Sequence, residues 1–278
     1  MFGWGTSDFL AAKCSRKIGY IVTYFWTQIV TVVVTLIIFL IKFKTLDIGN
    51  ISRYLIFLAP AGFLFMIATL NFYRGLTEGQ VSLVSPIGSS WSMIVVVLSI
   101  IFLHETLKTN QIIAIVLIIL GMMLASVNLK ELLKIKKLSF LTGTKEGIIA
   151  MTGWGIALFL LVPVSRTLGW LLPIVIFKLF GILFFLIINI IFSKKSFKIS
   201  PQQPLLLLIL MVGILDIVAF FSYSFGVRGA YASIVAPIAA SFPLITVLLA
   251  RIFFKERLSL NQIIGVVGVI AGLVLISI

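Results

Sequence analysis

Residues 75–111 recur at 226–262, without a gap, when the sequence is shifted by 151 positions. Gly75 falls on Gly226, Ser82 on Ser233, Val84 on Val235 and Pro86 on Pro237. Ile94 falls on Ile245, Phe102 on Phe253, Glu105 on Glu256 and Leu107 on Leu258. Asn110-Gln111-Ile112-Ile113 then falls on Asn261-Gln262-Ile263-Ile264. Shared hydrophobicity can align one Ile with another. It does not bring Gly, Ser, Pro, Glu and an Asn-Gln pair into one register. The chain is an internal duplication, so any fold it adopts must accommodate the same unit twice.

That unit is too apolar for water. Of 278 residues, 61% are hydrophobic and 11% charged, with a mean hydropathy of +1.25. Such a composition implies an all-α polytopic membrane protein. The net charge of +14 does not point to nucleic acid, because the Lys and Arg residues lie between apolar runs, where they set membrane topology. One Cys and one His exclude a disulfide framework and leave no basis for a metal site or cofactor. No basic segment precedes an apolar run as in a cleavable signal peptide.

A spanning helix needs about 20 apolar residues. Ten candidates run over 1–14, 20–41, 54–73, 80–103, 111–127, 147–164, 171–192, 205–225, 231–254 and 261–278. The first is short for a bilayer, and its start is expected upstream of Met1. Ten spans in two similar halves give five per half. Five is odd, so the halves enter from opposite sides, as two inverted five-helix repeats. The first repeat is 1–127, the second is 147–278, and 128–146 is a basic linker loop with Lys130, Lys134, Lys136, Lys137 and Lys145. Of the 22 basic residues, 15 fall on the linker's side, with Lys13 and Arg251 at span ends counted with the loops they adjoin, six fall on the other, and Lys178 lies deep inside a span. The bias places the linker in the cytoplasm and both termini outside a plasma membrane.

No phosphate loop, HExxH, Gly-x-Ser-x-Gly or cluster of His, Cys and acids is present, and His104 is alone beside Glu105. The chain is therefore not expected to be an enzyme. Its candidate residues are polar groups and helix breakers inside the spans. Pro86 and its copy Pro237 each remove a backbone donor. They lie among Ser82, Ser85, Ser89 and Ser90, and among Ser233 and Ser241, with Pro243 following. Matching breaks in two halves point to a midplane cavity, although small residues also serve close helix packing. Gly3-Trp4-Gly5 is repeated as Gly153-Trp154-Gly155, which suggests a cavity wall or an interfacial anchor. Asp8, Asp216 and Lys178 are charges within apolar runs; each needs a cavity or a partner, and a purely structural Lys–Asp pair is the plainer alternative. Gln28 is the counterpart of Lys178, Tyr223 lies two turns beyond Asp216, and Asn71, Tyr73 and Trp91 complete the polar set. Glu105 and Glu256 end the fourth and ninth spans, as charges beside the helix N-terminus that follows.

Trp-Gly near the start of each half, then small-residue-rich Ser-x-Val/Ile-x-Pro, then Glu-x-Leu and Asn-Gln before an apolar helix, resembles the EamA-type repeat of the drug/metabolite transporter superfamily. The resemblance covers nearly the whole chain. It implies a ten-helix carrier of amino acids, other metabolites or drugs that works by alternating access. A basic residue soon after a proline in the second helix of a repeat is common in that family. Pro173 and Lys178 match it, whereas Gln28 departs from it in the first half. The expected function is a secondary-active transporter, an exporter of a small organic metabolite. Its cavity would be lined by the second, fourth, seventh and ninth spans and their partners, between the halves. Protons are the candidate coupling ion through Asp8 or Asp216, and Lys178 would hold a substrate carboxylate. A passive channel is the alternative. The partners expected are the small-molecule substrate and the lipid bilayer.

Overall fold

The computed structural model describes residues 1–45, 49, 51–78, 81–126, 143–193, 197, 203–245 and 259–276; side chains at 45, 81–83, 126 and 193 are not described. All regular structure among these residues is helical. In lipid the backbone must satisfy its hydrogen bonds within each segment, and runs of Leu, Ile, Val and Phe do so as helices. In chain order they are α1 (Phe2–Ile18), α2 (Tyr20–Lys42), α3 (Ile51–Glu78), α4 (Val81–Ser89), α5 (Trp91–Leu103) and α6 (Thr109–Ser126). The second set is α7 (Thr144–Leu168), α8 (Leu172–Ile188), α9 (Gln203–Gly229), α10 (Ala232–Ala240) and α11 (Leu260–Ile276). Six stretches are long and apolar enough to cross a membrane: α2, α3, Val84–Leu103, α7, Leu172–Phe192 and α9. Thr109–Ala125, Ala232–Ile245 and Leu260–Ile276 are shorter apolar helices. Large apolar side chains such as Ile41, Ile56, Phe192 and Val267 point outward, as a lipid-facing surface requires.

The fourth span is not one continuous helix. It breaks at Ser90, one turn beyond Pro86. The Ser90 N–H turns to the carbonyl of Ile87, and the Ser89 and Ser90 hydroxyls donate to the Pro86 carbonyl, each at 2.9 Å. The second half repeats this break. Ser241 interrupts the helix one turn after Pro237, its N–H turns to Ile238, and its hydroxyl donates to the Pro237 carbonyl at 2.9 Å. Serine hydroxyls thus occupy carbonyls that the broken ladder leaves open.

Packing pairs the two halves element by element. α1 packs chiefly on α9, α3 on α7 and α6 on α11, α5 packs equally on α10 and α7, and α2 lies against α8 and α9. Glycines permit the closest approaches, and they come in matched pairs. A Cβ on Gly3 would meet the Leu215 carbonyl oxygen at 2.7 Å; one on Gly153 would meet that of Leu64 at 3.0 Å. A Cβ on Gly121 would meet the Val269 nitrogen at 2.7 Å and the Gly265 oxygen at 2.8 Å. One on Gly272 would meet the Ile118 nitrogen at 3.1 Å and the Ala114 oxygen at 2.8 Å. In every case the partners differ by the 150 or 151 positions that relate the halves. Of the linker 128–146, only 143–146 is described; Lys145 and Glu146 sit in the first turn of α7. Glu256 lies outside the described residues.

Candidate functional site

Where α1, α3, α7 and α9 come together they leave a narrow, partly open cleft, with about 450 Å³ of space not filled by atoms, open solvent included. Its polar lining is Asp8, Gln28, Thr69 and Asp216. The rest of the wall is mostly aromatic: Trp4, Phe65, Tyr73, Trp91, Trp154 and Phe242. Trp4 stands edge-on to Trp91, with ring centroids 5.9 Å apart, and Phe65 lies 6.2 Å from Trp154. The two indole N–H groups find acceptors on the opposite half. Trp154 Nε1 donates to Thr69 Oγ1 at 3.0 Å, and Trp4 Nε1 donates to Asp216 Oδ1 at 3.2 Å. These bonds fix how the rings face the space.

Lys178 does not line the cleft. Its ammonium is 2.9 Å from Asp216 Oδ2, and its side chain is 1% exposed. Aromatic faces enclose it, with Phe220 at 4.0 Å, Phe65 at 4.8 Å and Phe177 at 5.8 Å from the nitrogen to the ring centroid. A buried ammonium needs a counter-ion, and electron-rich ring faces supply further attraction. The cation expected to meet a substrate carboxylate is therefore spent within the protein. Asp216 reaches the cleft with one side and Lys178 with the other. Asp8, one turn beyond Trp4, lines the cleft with no hydrogen bond or ion pair to any described residue.

A second polar cluster closes one end of the bundle. Glu105 follows α5 and is buried. Its carboxylate accepts from the Ala232 and Ser233 backbone N–H groups, each at 2.9 Å, and from the Ser233 hydroxyl at 2.6 Å. Arg166, near the end of α7, donates to the same carboxylate, to the Val227 carbonyl at 3.1 Å and to the Ala230 carbonyl at 3.3 Å. Burial opposes ionisation of Glu105, yet the bonds from Ser233, Ala232 and Arg166 outweigh it and hold the carboxyl below its ordinary value. Glu105 thus caps a helix N-terminus, as its type suggests, but the helix is α10 of the other half, not the one that follows it in the chain. The clasp ties together the ends of α5, α7 and α9 and the start of α10.

The sequence profile of the EamA-like transporter family matches residues 1–127 and again 143–278. The chain belongs to the EamA-like transporter family. That family is part of the drug/metabolite transporter superfamily, and the protein is an integral membrane protein of a transporter family. An uncharacterised protein of Methanocaldococcus jannaschii is 40% identical over 88 residues, which are 32% of this chain and 64% of that protein. A solved crystal structure shares the fold, with a TM-score of 0.72 at 13% identity over 99% of this chain and 94% of the other.

Seven of the candidate residues read from the sequence of this EamA-like chain line the cleft: Trp4, Asp8, Gln28, Tyr73, Trp91, Trp154 and Asp216. Tyr223 is buried just behind them, 5.9 Å from both the Trp4 and Trp91 rings. Asn71 donates to the Ile67 carbonyl of its own helix at 2.8 Å. Ser233 belongs to the Glu105 clasp. Pro86 and Pro237 are buried at the helix breaks and are not lining residues. The side chain of Ser82 lies outside the description. The first, third and sixth spans supply seven of the lining residues; the second, fourth, eighth and ninth supply one each, Gln28, Trp91, Asp216 and Phe242, and the seventh none. Phe65, Thr69, Leu158, Phe242 and Arg166 were not anticipated. The duplication held a signal for three of them, since Phe65 matches Asp216, Phe242 matches Trp91 and Leu158 matches Asp8 at the repeat offsets.

Proposed function

We propose that this protein is a secondary-active carrier of a small organic solute, working by alternating access between two inverted five-helix repeats, 1–127 and 147–278. The observation that carries the reading is the cleft, lined from both halves and containing two carboxylates, beside a clasp at one end. The pairing of α1 with α9 and of α3 with α7, with glycine contacts at one repeated offset, supports an approximate two-fold axis in the membrane plane. Ten crossings, with α4 and α5 as one of them, and export from the cell follow from this reading. Asp8, Asp216, Trp4, Trp91, Trp154 and Gln28 form the substrate site. Lys178 holds Asp216 in place, and Pro86 and Pro237 let the neighbouring helices bend. A proton on Asp8 or Asp216 is the coupling ion, among the titratable neighbours Lys178, Tyr24 and Tyr73.

Reconstitution into liposomes tests this. A carrier gives saturable flux, accelerated exchange when substrate is present on both sides, and accumulation driven by a proton gradient. Flux that rises linearly with concentration and shows no exchange indicates a pore and overturns the proposal.

A further inference from the structure

We infer that the solute is an organic cation, a protonated amine or ammonium group carried on a flat apolar body. This rests on the carrier reading above and names its substrate class. The argument is a balance of charge. Two carboxylates line the cleft, and one amine lies near it. The amine faces Asp216 and is screened from the space by the Phe65, Phe177 and Phe220 rings. Asp8 has no cation partner among the described residues, so with both carboxylates ionised the cleft is one positive charge short. A carboxylate in a low-dielectric cleft attracts a cation strongly and repels an anion. A substrate carboxylate would meet Asp8 and Asp216 and no free ammonium.

The walls agree with this reading. Trp4, Trp91 and Trp154 present ring faces and edges of the kind that hold ammonium groups and flat apolar rings. Gln28 supplies a second, independent sign of a ligand. It lines the cleft and is 3% exposed. Its carbonyl oxygen accepts from Thr31 at 3.4 Å, and its NH₂ has no acceptor among the described residues. A buried donor of that kind fits a ligand that also carries a hydroxyl, ether or carbonyl oxygen. The charge is confined to a few places. Asp8, Lys178 and Asp216 correspond to Leu158, Gln28 and Phe65 in the other half, so the duplicated scaffold carries its charges on one copy of each position.

Three aromatic probes separate the possibilities: phenyltrimethylammonium, its neutral isostere tert-butylbenzene, and the anion benzoate. Binding to the purified full-length protein is read by quenching of tryptophan fluorescence and by thermal stabilisation. The cation is expected to bind at least about tenfold more tightly than the neutral isostere, and benzoate not at all. Asp8→Asn is expected to remove that preference while the protein stays monodisperse, and Asp8→Glu to restore it. Equal binding of the neutral and cationic probes, tighter binding of benzoate, or a cation preference that survives Asp8→Asn would each overturn the inference. If Asp8→Asn fails to fold, competition between the cation and a carbodiimide reacting at Asp8 takes its place. Protection of Asp8 by the cation supports the inference, and its absence refutes it. Saturable exchange of an anionic or neutral solute, with no cation binding, refutes the cation but leaves the carrier. Absence of saturable exchange for solutes of every charge refutes the carrier itself.

Discussion

At the residue scale, the pair of Lys178 with Asp216 decides both stability and the shape of the site. Removing one member strands the other in a buried, aromatic setting. Lys178→Met is therefore expected to cost about 3 kcal/mol, at the lower end for a broken buried pair because Asp216 is 17% exposed. Lys178→Met combined with Asp216→Leu should recover most of that loss, since replacing both charges removes the desolvation cost along with the attraction. Thermal unfolding of the three proteins in one detergent checks this. A single variant as stable as the wild type would show that the pair contributes nothing. Glu105 gives a pH-dependent counterpart. Its folded carboxyl titrates below its ordinary value of 4.5, so its contribution is complete above that value and is lost as pH falls through the depressed one. Glu105→Gln should lower stability by about 2 kcal/mol near neutrality, and the difference from wild type should shrink only in acid. A difference that grows as the pH falls would contradict the sign.

At the element scale, the matched breaks and matched glycines matter most. α6 and α11 are two short apolar helices that pack chiefly against each other. Gly121 and Gly272 bring their backbones together, and no side chain fits there. Gly121→Val is expected to destabilise the protein by about 1–3 kcal/mol through overpacking, with Gly272→Val close to it because the contacts match. Unfolding midpoints of the two variants in one detergent measure this; a difference of several degrees between them would mean that the two sides are not equivalent. The breaks at Ser90 and Ser241 were legible only in part. Pro86 and Pro237 announced a disturbance in the helix. Where the hydroxyls would go, and that the prolines would stand beside the cleft and not in its wall, depended on how α5 and α10 pack.

At the scale of the whole molecule, orientation can be tested directly. The charge bias of 15 basic residues against six predicts a cytoplasmic linker, with both termini outside. A reporter fused after Ile278 is expected to be active only outside the cell, and cytoplasmic activity would reverse the orientation. The Glu105 clasp joins segments 104–105, 166 and 227–233, which all belong to the end of the bundle away from the linker. The residues that build it have sequence counterparts in the other half: Arg16 for Arg166, Ser82 for Ser233 and Glu256 for Glu105.

The sequence alone determined that the chain is a helical membrane protein made of a unit used twice. Hydrophobicity and an exact residue spacing are properties of the chain, and lipid leaves little choice beyond helices. It also marked the residues unsuited to lipid, and seven of those line the cleft. It did not determine which of them face the space and which are consumed within the protein. Lys178 and Asp8 look alike as isolated charges in apolar runs, yet one is paired behind three aromatic rings and the other lines the cleft without a partner among the described residues. That difference depends on residues 38 and 208 positions away from Asp216, and only the packing of α1 and α8 against α9 sets it.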